Sequence, residues 1–164
     1  MTAIGSRAIG TCLWFDGRAE EAANFYAGLF DDGRILDVAR YGDAGPGDAG
    51  SVMTVSFELG GRGFRALNGG PEYTFNEAVS FELFFDTQQE LDDAWSALTA
   101  GGGEDGPCGW LKDKFGVSWQ LIPNMLMSVL GGSDPAGRER AMAAMLAMHK
   151  LDIAALQAAY DGGA

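Results

Sequence analysis

Residues 9–30 read IGTCLWFDGRAEEAANFYAGLF, and residues 79–100 read VSFELFFDTQQELDDAWSALTA. Each stretch begins with an apolar run typical of a strand and passes through a turn containing Asp16 or Asp86. Each then continues with apolar residues at helical spacing. A strand–turn–helix unit that occurs twice in a short chain predicts two similar modules with a cleft between them.

The segments that follow each helical stretch alternate like strands and complete two βαβββ modules, over residues 9–67 and 79–122. This order predicts an α+β fold with a curved mixed sheet, a cleft, and helices 19–30 and 88–100 on the outer face. Thr87 and Glu90 have the spacing of a helix capping box.

The segment after the second module differs in character, because it is rich in Ala and Met at helical spacing. Ser133-Asp134-Pro135 predicts one helix start and Asp152 predicts another. We therefore expect a domain over residues 1–125 and a helical tail over 126–164 that packs on the same domain. The apolar stripe from Met142 to Leu156 is a natural dimer surface, so we expect a homodimer.

Composition excludes several classes of protein. The 164 residues fit one domain, and a hydrophobic content of 47% favours folding. The net charge of −12 argues against binding to nucleic acid or to anionic lipid. No apolar stretch reaches membrane-spanning length and no secretory signal is evident, so we expect no membrane partner and a cytoplasmic location. Cys12 and Cys108 are expected to be reduced thiols.

The pattern resembles the PhnB-like family, described as 3-demethylubiquinone-9 3-methyltransferase, within the vicinal oxygen chelate superfamily of glyoxalase I, bleomycin-resistance proteins and extradiol dioxygenases. The residues that carry the resemblance are Leu13-Trp14-Phe15-Asp16-Gly17, 19–26, 64–70, 75–81, 108–113, 115–120 and 140–155. The methyltransferase description lacks physical support, because no glycine-rich loop in a Rossmann-type unit is present to seat S-adenosylmethionine.

The resemblance also implies where metal ligands stand in metal-dependent relatives, at about Gly10, Leu67, Ser80 and Gln120. Glycine and leucine supply no side-chain donor, serine is a poor ligand, and His149, predicted on a C-terminal helix, is the sole histidine. We therefore expect no metal and no cofactor. If the register were shifted by two residues, Glu82 with Gln120 would make half a site.

Polar and aromatic residues near the predicted cleft nevertheless suit a small-molecule site. The candidate ligand-binding residues are Asn68, Ser80, Glu82, Cys108, Trp110 and Gln120. Period-two alternation predicts that Gln120 and Ser80 point inward on adjoining strands. Asp113, between two lysines, is expected in a solvated turn.

Three functional hypotheses follow. The first is a protein that binds a small polar or aromatic organic molecule, with or without metal-independent catalysis. The second is a metal-dependent lyase or dioxygenase of the glyoxalase type, which requires at least three inward donors. The third is a non-catalytic dimeric binding or assembly protein. The substrate and any catalytic residue stay open.

Overall fold

The computed structural model describes residues 9–163. The chain divides into two compact units, of which the first ends at Thr74 and the second begins at Phe75. The elements of the first unit are β1 (Thr11–Phe15), α1 (Ala19–Ala27), β2 (Arg34–Arg40), β3 (Val52–Leu59) and β4 (Arg62–Asn68). Its strands form a mixed sheet in the order β1-β4-β3-β2, in which β1 runs parallel to β4 and the other neighbours are antiparallel.

The second unit repeats this plan. Its first elements are β5 (Phe81–Phe85), α2 (Gln88–Thr99), β6 (Glu104–Asp105), β7 (Trp110–Lys112) and β8 (Ser118–Pro123). The order β5-β8-β7-β6 and the parallel β5–β8 pair match the first unit position by position. The prediction of two βαβββ modules in an α+β fold is confirmed, and each module has its own four-stranded sheet.

Each sheet buries one face against its own helix. In the first module the buried residues of the sheet and of α1 are Leu13, Phe15, Val55, Phe57, Leu59, Ala66, Ala19, Ala22, Ala23 and Tyr26. In the second module the corresponding residues of the sheet and of α2 are Leu111, Trp119, Leu121, Leu91, Trp95 and Leu98. Because successive strand residues alternate in direction, the other face of each sheet carries the remaining side chains, most of which are half-exposed or exposed.

The start of α2 is fixed by the predicted capping box. The hydroxyl of Thr87 accepts a hydrogen bond from the backbone N–H of Glu90 at 3.3 Å. The Glu90 carboxylate accepts the backbone N–H of Thr87 at 3.1 Å in return. Two N–H groups that lack helical partners are thereby satisfied, which confirms the prediction.

The C-terminal segment contains three helices rather than the two expected: α3 (Leu126–Leu130), α4 (Pro135–Leu146) and α5 (Ile153–Asp161). Asp134 and Asp152 cap α4 and α5 as predicted. The assignment of His149 to a helix was wrong, because this exposed residue lies between α4 and α5. Within the described chain no helix is both long and apolar enough to cross a membrane.

The tail is joined to the second module by polar and apolar contacts. The amide of Gln88 donates to the carbonyl of Leu151 at 3.1 Å and accepts the N–H of Ile153 at 2.8 Å. Leu156 is completely buried in a cluster of tail residues against which Ile122 of β8 packs. Residues 1–8 of the domain predicted over 1–125 lie outside the described residues.

Candidate functional site

The half-exposed face of the second sheet aligns three of the predicted site residues. Glu82 of β5 and Trp110 of β7 are both direct register partners of Gln120 on β8. Directly paired residues project from the same side of a sheet. The carboxylate, the amide and the indole therefore stand side by side on the face opposite α2.

The orientation of the central amide is fixed by a fourth predicted residue. The side-chain N–H of Gln120 donates to the hydroxyl of Ser80 at 2.8 Å. No other hydrogen bond from the Gln120 side chain occurs among residues 9–163, so its amide oxygen remains an acceptor for an incoming group. Ser80 directly precedes β5 rather than lying in it, so the prediction that Gln120 and Ser80 lie on adjoining strands was wrong for Ser80, although the two side chains contact each other.

A cavity of about 370 Å³ lies beside Trp110 in the same module. The residues lining it are Glu77, Glu104, Asp105, Gly106, Pro107, Trp110, Leu111, Lys112 and Ser118. Trp110 is the one lining residue that was among the predicted site residues; the polar residues Glu77, Glu104, Asp105, Lys112 and Ser118 were not. Alternation along β7 puts Trp110 and Lys112 on the same face of the sheet, and it is the sequence signal that could have added Lys112 to the predicted site.

Lys112 lies between two carboxylates in this cavity. It forms an ion pair with Glu77, and Glu104 is its register partner on β6. The hydrogen bond to Glu77 raises the pKa of Lys112 above its ordinary value, and the same bond lowers the pKa of Glu77. Both groups are therefore charged at neutral pH.

Asn68 belongs to the first module, where its side chain is engaged in local structure. Its amide oxygen accepts the N–H of Ala19 at 2.9 Å, and its N–H donates to the carbonyl of Val52 at 3.0 Å. It also lines a cavity of about 530 Å³ within that module. The expectation that Asn68 shares one cavity with Gln120 and Trp110 stays a prediction.

Cys108 lies in a turn that precedes β7. Its φ of 56° lies in the left-handed region, so the chain turns at this residue and β7 begins at Trp110. The backbone N–H of Cys108 donates to the carbonyl of Met148 at 2.8 Å, which ties this turn to the tail. Cys108 and Cys12 are both free thiols.

The expectation of a solvated turn at Asp113 was wrong. Its side chain is buried and accepts the backbone N–H groups of Phe115 at 2.8 Å and Val117 at 3.1 Å. The indole N–H of Trp119 donates to its second oxygen at 2.9 Å. Asp113 thus organises the β7–β8 connection, and Trp119 belongs to the core rather than to the ligand face.

The donor set does not fit the divalent metal that glyoxalase-type relatives bind. Leu67 lies on β4 and offers no donor atom, and the Ser80 hydroxyl is occupied by Gln120. Across residues 9–163, no group of three or more His, Cys, Asp or Glu side chains is placed to hold a metal ion. We derive no chemistry through a metal here, and the expected absence of a bound metal stays a prediction.

The two βαβββ modules have the fold of the vicinal oxygen chelate superfamily. Residues 7–122 match the family model described as 3-demethylubiquinone-9 3-methyltransferase, and the chain belongs to this PhnB-like family. The match ends with β8, so the helical tail lies outside it.

Solved structures agree with this assignment. The PhnB protein of Bacillus cereus, named with the same methyltransferase description, is 37% identical; the similarity covers 71% of this chain and 99% of that one, with a TM-score of 0.63. Protein PA1353 of Pseudomonas aeruginosa is 24% identical over 73% of this chain and 100% of its own, with a TM-score of 0.58, and shows a shared fold only.

More distant structures show the fold alone. The fosfomycin resistance protein FosX of Listeria monocytogenes is 12% identical over 73% of this chain and 93% of its own, with a TM-score of 0.51. No match was found among the curated proteins.

Proposed function

We propose that this protein binds a small polar aromatic molecule on the half-exposed sheet face of its second module. The observation that carries the proposal is the alignment of Glu82, Gln120 and Trp110, with the Gln120 amide held by Ser80. A small-molecule site combines apolar surface with a few oriented polar groups. Here the indole supplies apolar surface, while the amide oxygen and the carboxylate supply two acceptors.

The chemistry of this face favours ligands that carry hydrogen-bond donors. Both the Gln120 oxygen and the Glu82 carboxylate accept hydrogen bonds. If a reaction takes place, Glu82 is the group placed to accept a proton from a bound molecule. This form of catalysis needs no metal, which suits the donor set described above. The name of the FosX relative concerns fosfomycin resistance, and at 12% identity it supplies no substrate for this chain.

The test is a thermal-shift screen against small aromatic amides, phenols and amines. The strongest binder is then titrated by calorimetry into wild type and Gln120→Leu. Loss of one hydrogen bond worth about 1.4 kcal/mol predicts affinity about tenfold weaker in the variant. Gln157→Leu is the matched control, because Gln157 also makes one side-chain hydrogen bond, to Asp161 on exposed α5. Equal affinity in all three proteins would contradict the proposed site.

A homodimer remains a second proposal about this chain, supported by exposed apolar residues in the tail. Met127, Met142 and Leu146 are 71%, 41% and 62% exposed. Large apolar side chains that stay in contact with water favour association. The dimer does not depend on the ligand site and is tested separately below.

A further inference from the structure

The cavity beside Trp110 carries more negative than positive charge. Three carboxylates line it, against the single ammonium of Lys112. Glu77 is engaged by Lys112, and Asp105 accepts the indole N–H of Trp95 at 3.1 Å. The side chain of Glu104 is exposed and lies near the Lys112 ammonium, but it makes no hydrogen bond to any residue from 9 to 163. Glu104 is therefore the carboxylate that remains open to a cation.

An independent observation in the same cavity points to a ligand. Ser118 is 1% exposed, and its hydroxyl has no hydrogen-bond partner within the described part of the chain. It lies opposite Lys112 in the β7–β8 register and lines the cavity. Buried hydroxyl groups are nearly always hydrogen-bonded. A polar atom of a bound molecule would satisfy this one.

The remaining walls and the size of the cavity suit an aromatic ring. Trp110 and Pro107 contribute apolar surface, and the volume of about 370 Å³ lies within the range of small-molecule sites. An indole face also attracts organic cations. The net charge of −12 favours the approach of cations over anions.

We infer that this cavity binds an arylalkylamine with a phenol ring, with its ammonium at Glu104, its ring against Trp110 and its ring hydroxyl hydrogen-bonded to Ser118. The inference rests on the proposed function, because Trp110 belongs both to the cavity and to the face around Gln120. It goes further by naming the chemical class of the ligand and the residues that select it.

Three probes with a common ring and different charge test the inference: tyramine, 4-ethylphenol and 3-(4-hydroxyphenyl)propionate. In calorimetry at low salt, tyramine is expected to bind at least tenfold more tightly than the neutral 4-ethylphenol and the anionic propionate. The advantage of tyramine is expected to shrink as salt is added, because Glu104 is exposed and its interactions are screened. Equal affinity for the three probes, or tighter binding of the propionate, overturns the inference.

Variants locate the selectivity. Glu104→Gln is expected to weaken the affinity for tyramine about tenfold, as for the loss of one charge-assisted hydrogen bond. The affinity for 4-ethylphenol should stay unchanged. Glu139→Gln, an exposed position on α4, is the control and should change neither of these two affinities. Ser118→Ala should weaken the binding of tyramine but not the binding of phenethylamine, which lacks the ring hydroxyl. Unchanged tyramine affinity in Glu104→Gln overturns the assignment.

The outcomes also separate this inference from the proposed function. If the three probes bind equally and Gln120→Leu weakens them all, the amine selectivity is wrong and the proposed site stands. A second outcome is that no probe binds at millimolar concentration, while a compound of another class from the screen binds with an affinity that depends on Gln120. In that case too, the amine selectivity is wrong and the proposed site stands. If nothing in the screen depends on Gln120, the proposed function fails, and the inference fails with it when tyramine affinity is also unchanged in Glu104→Gln.

Discussion

Replacing Asp113 by alanine should destabilise the second module strongly. The buried carboxylate accepts three hydrogen bonds, from Phe115 N, Val117 N and Trp119 Nε1, at 2.8, 3.1 and 2.9 Å. Hydrogen bonds to charged groups contribute about 1.5–3 kcal/mol each, and contributions within one network do not add fully. The expected loss for Asp113→Ala is therefore about 4 kcal/mol, a large part of the ~5–15 kcal/mol that stabilises an ordinary domain.

Asp113→Asn is the matched variant. Its amide oxygen can still accept the two backbone N–H groups, but its NH₂ group then faces the indole N–H of Trp119, and two donors cannot bond. The expected loss is about 1–2 kcal/mol. Urea denaturation followed by circular dichroism measures both variants. In a Trp119→Phe background, Asp113→Asn should lower the free energy of unfolding by less than it does in wild type, because the indole N–H donor is gone.

This reasoning is refuted if Asp113→Ala lowers the free energy of unfolding by less than about 1 kcal/mol, which is the range of a surface substitution. It is also refuted if the alanine and asparagine variants are equally stable.

Further predictions concern the cap, the ion pair and the tail. Thr87→Ala should cost about 1 kcal/mol of stability in urea, because α2 loses its N-cap. Lys112→Met should raise the pKa of Glu77 in an NMR titration. In wild type the pair's contribution should be lost as pH falls through the lowered pKa of Glu77, or rises through the raised pKa of Lys112. Light scattering should give a dimer mass at micromolar concentration, and Leu146→Glu should give a monomer; a monomeric wild type contradicts the dimer.

Local sequence patterns were enough to predict the repeated architecture. The capping box at Thr87 depends on contacts three residues apart, so its residue types alone revealed it. The helix starts at Asp134 and Asp152 were equally local. Helix α3 was missed because five residues are too few to show a helical period.

The errors arose where a side chain finds partners that the neighbouring sequence does not reveal. Lys112-Asp113-Lys114 looks like a solvated charge cluster, but the partners of Asp113 come from the turn and from the following strand. Ser80 was expected on a strand but directly precedes β5, and its hydroxyl still contacts Gln120. Glu104 and Ser118 were missed, because only the register of three strands brings them to Lys112.

The central claim is that a small polar aromatic molecule binds at Gln120 and Trp110 on the face of the second sheet. An NMR titration with the strongest binder from the screen, following side-chain amide and indole N–H signals, tests it most directly. The account predicts that the Nε2 signal of Gln120 and the Nε1 signal of Trp110 shift together and saturate with the same Kd. Shifts at Trp14 and Asn68 of the first module, with Gln120 unchanged, would contradict it.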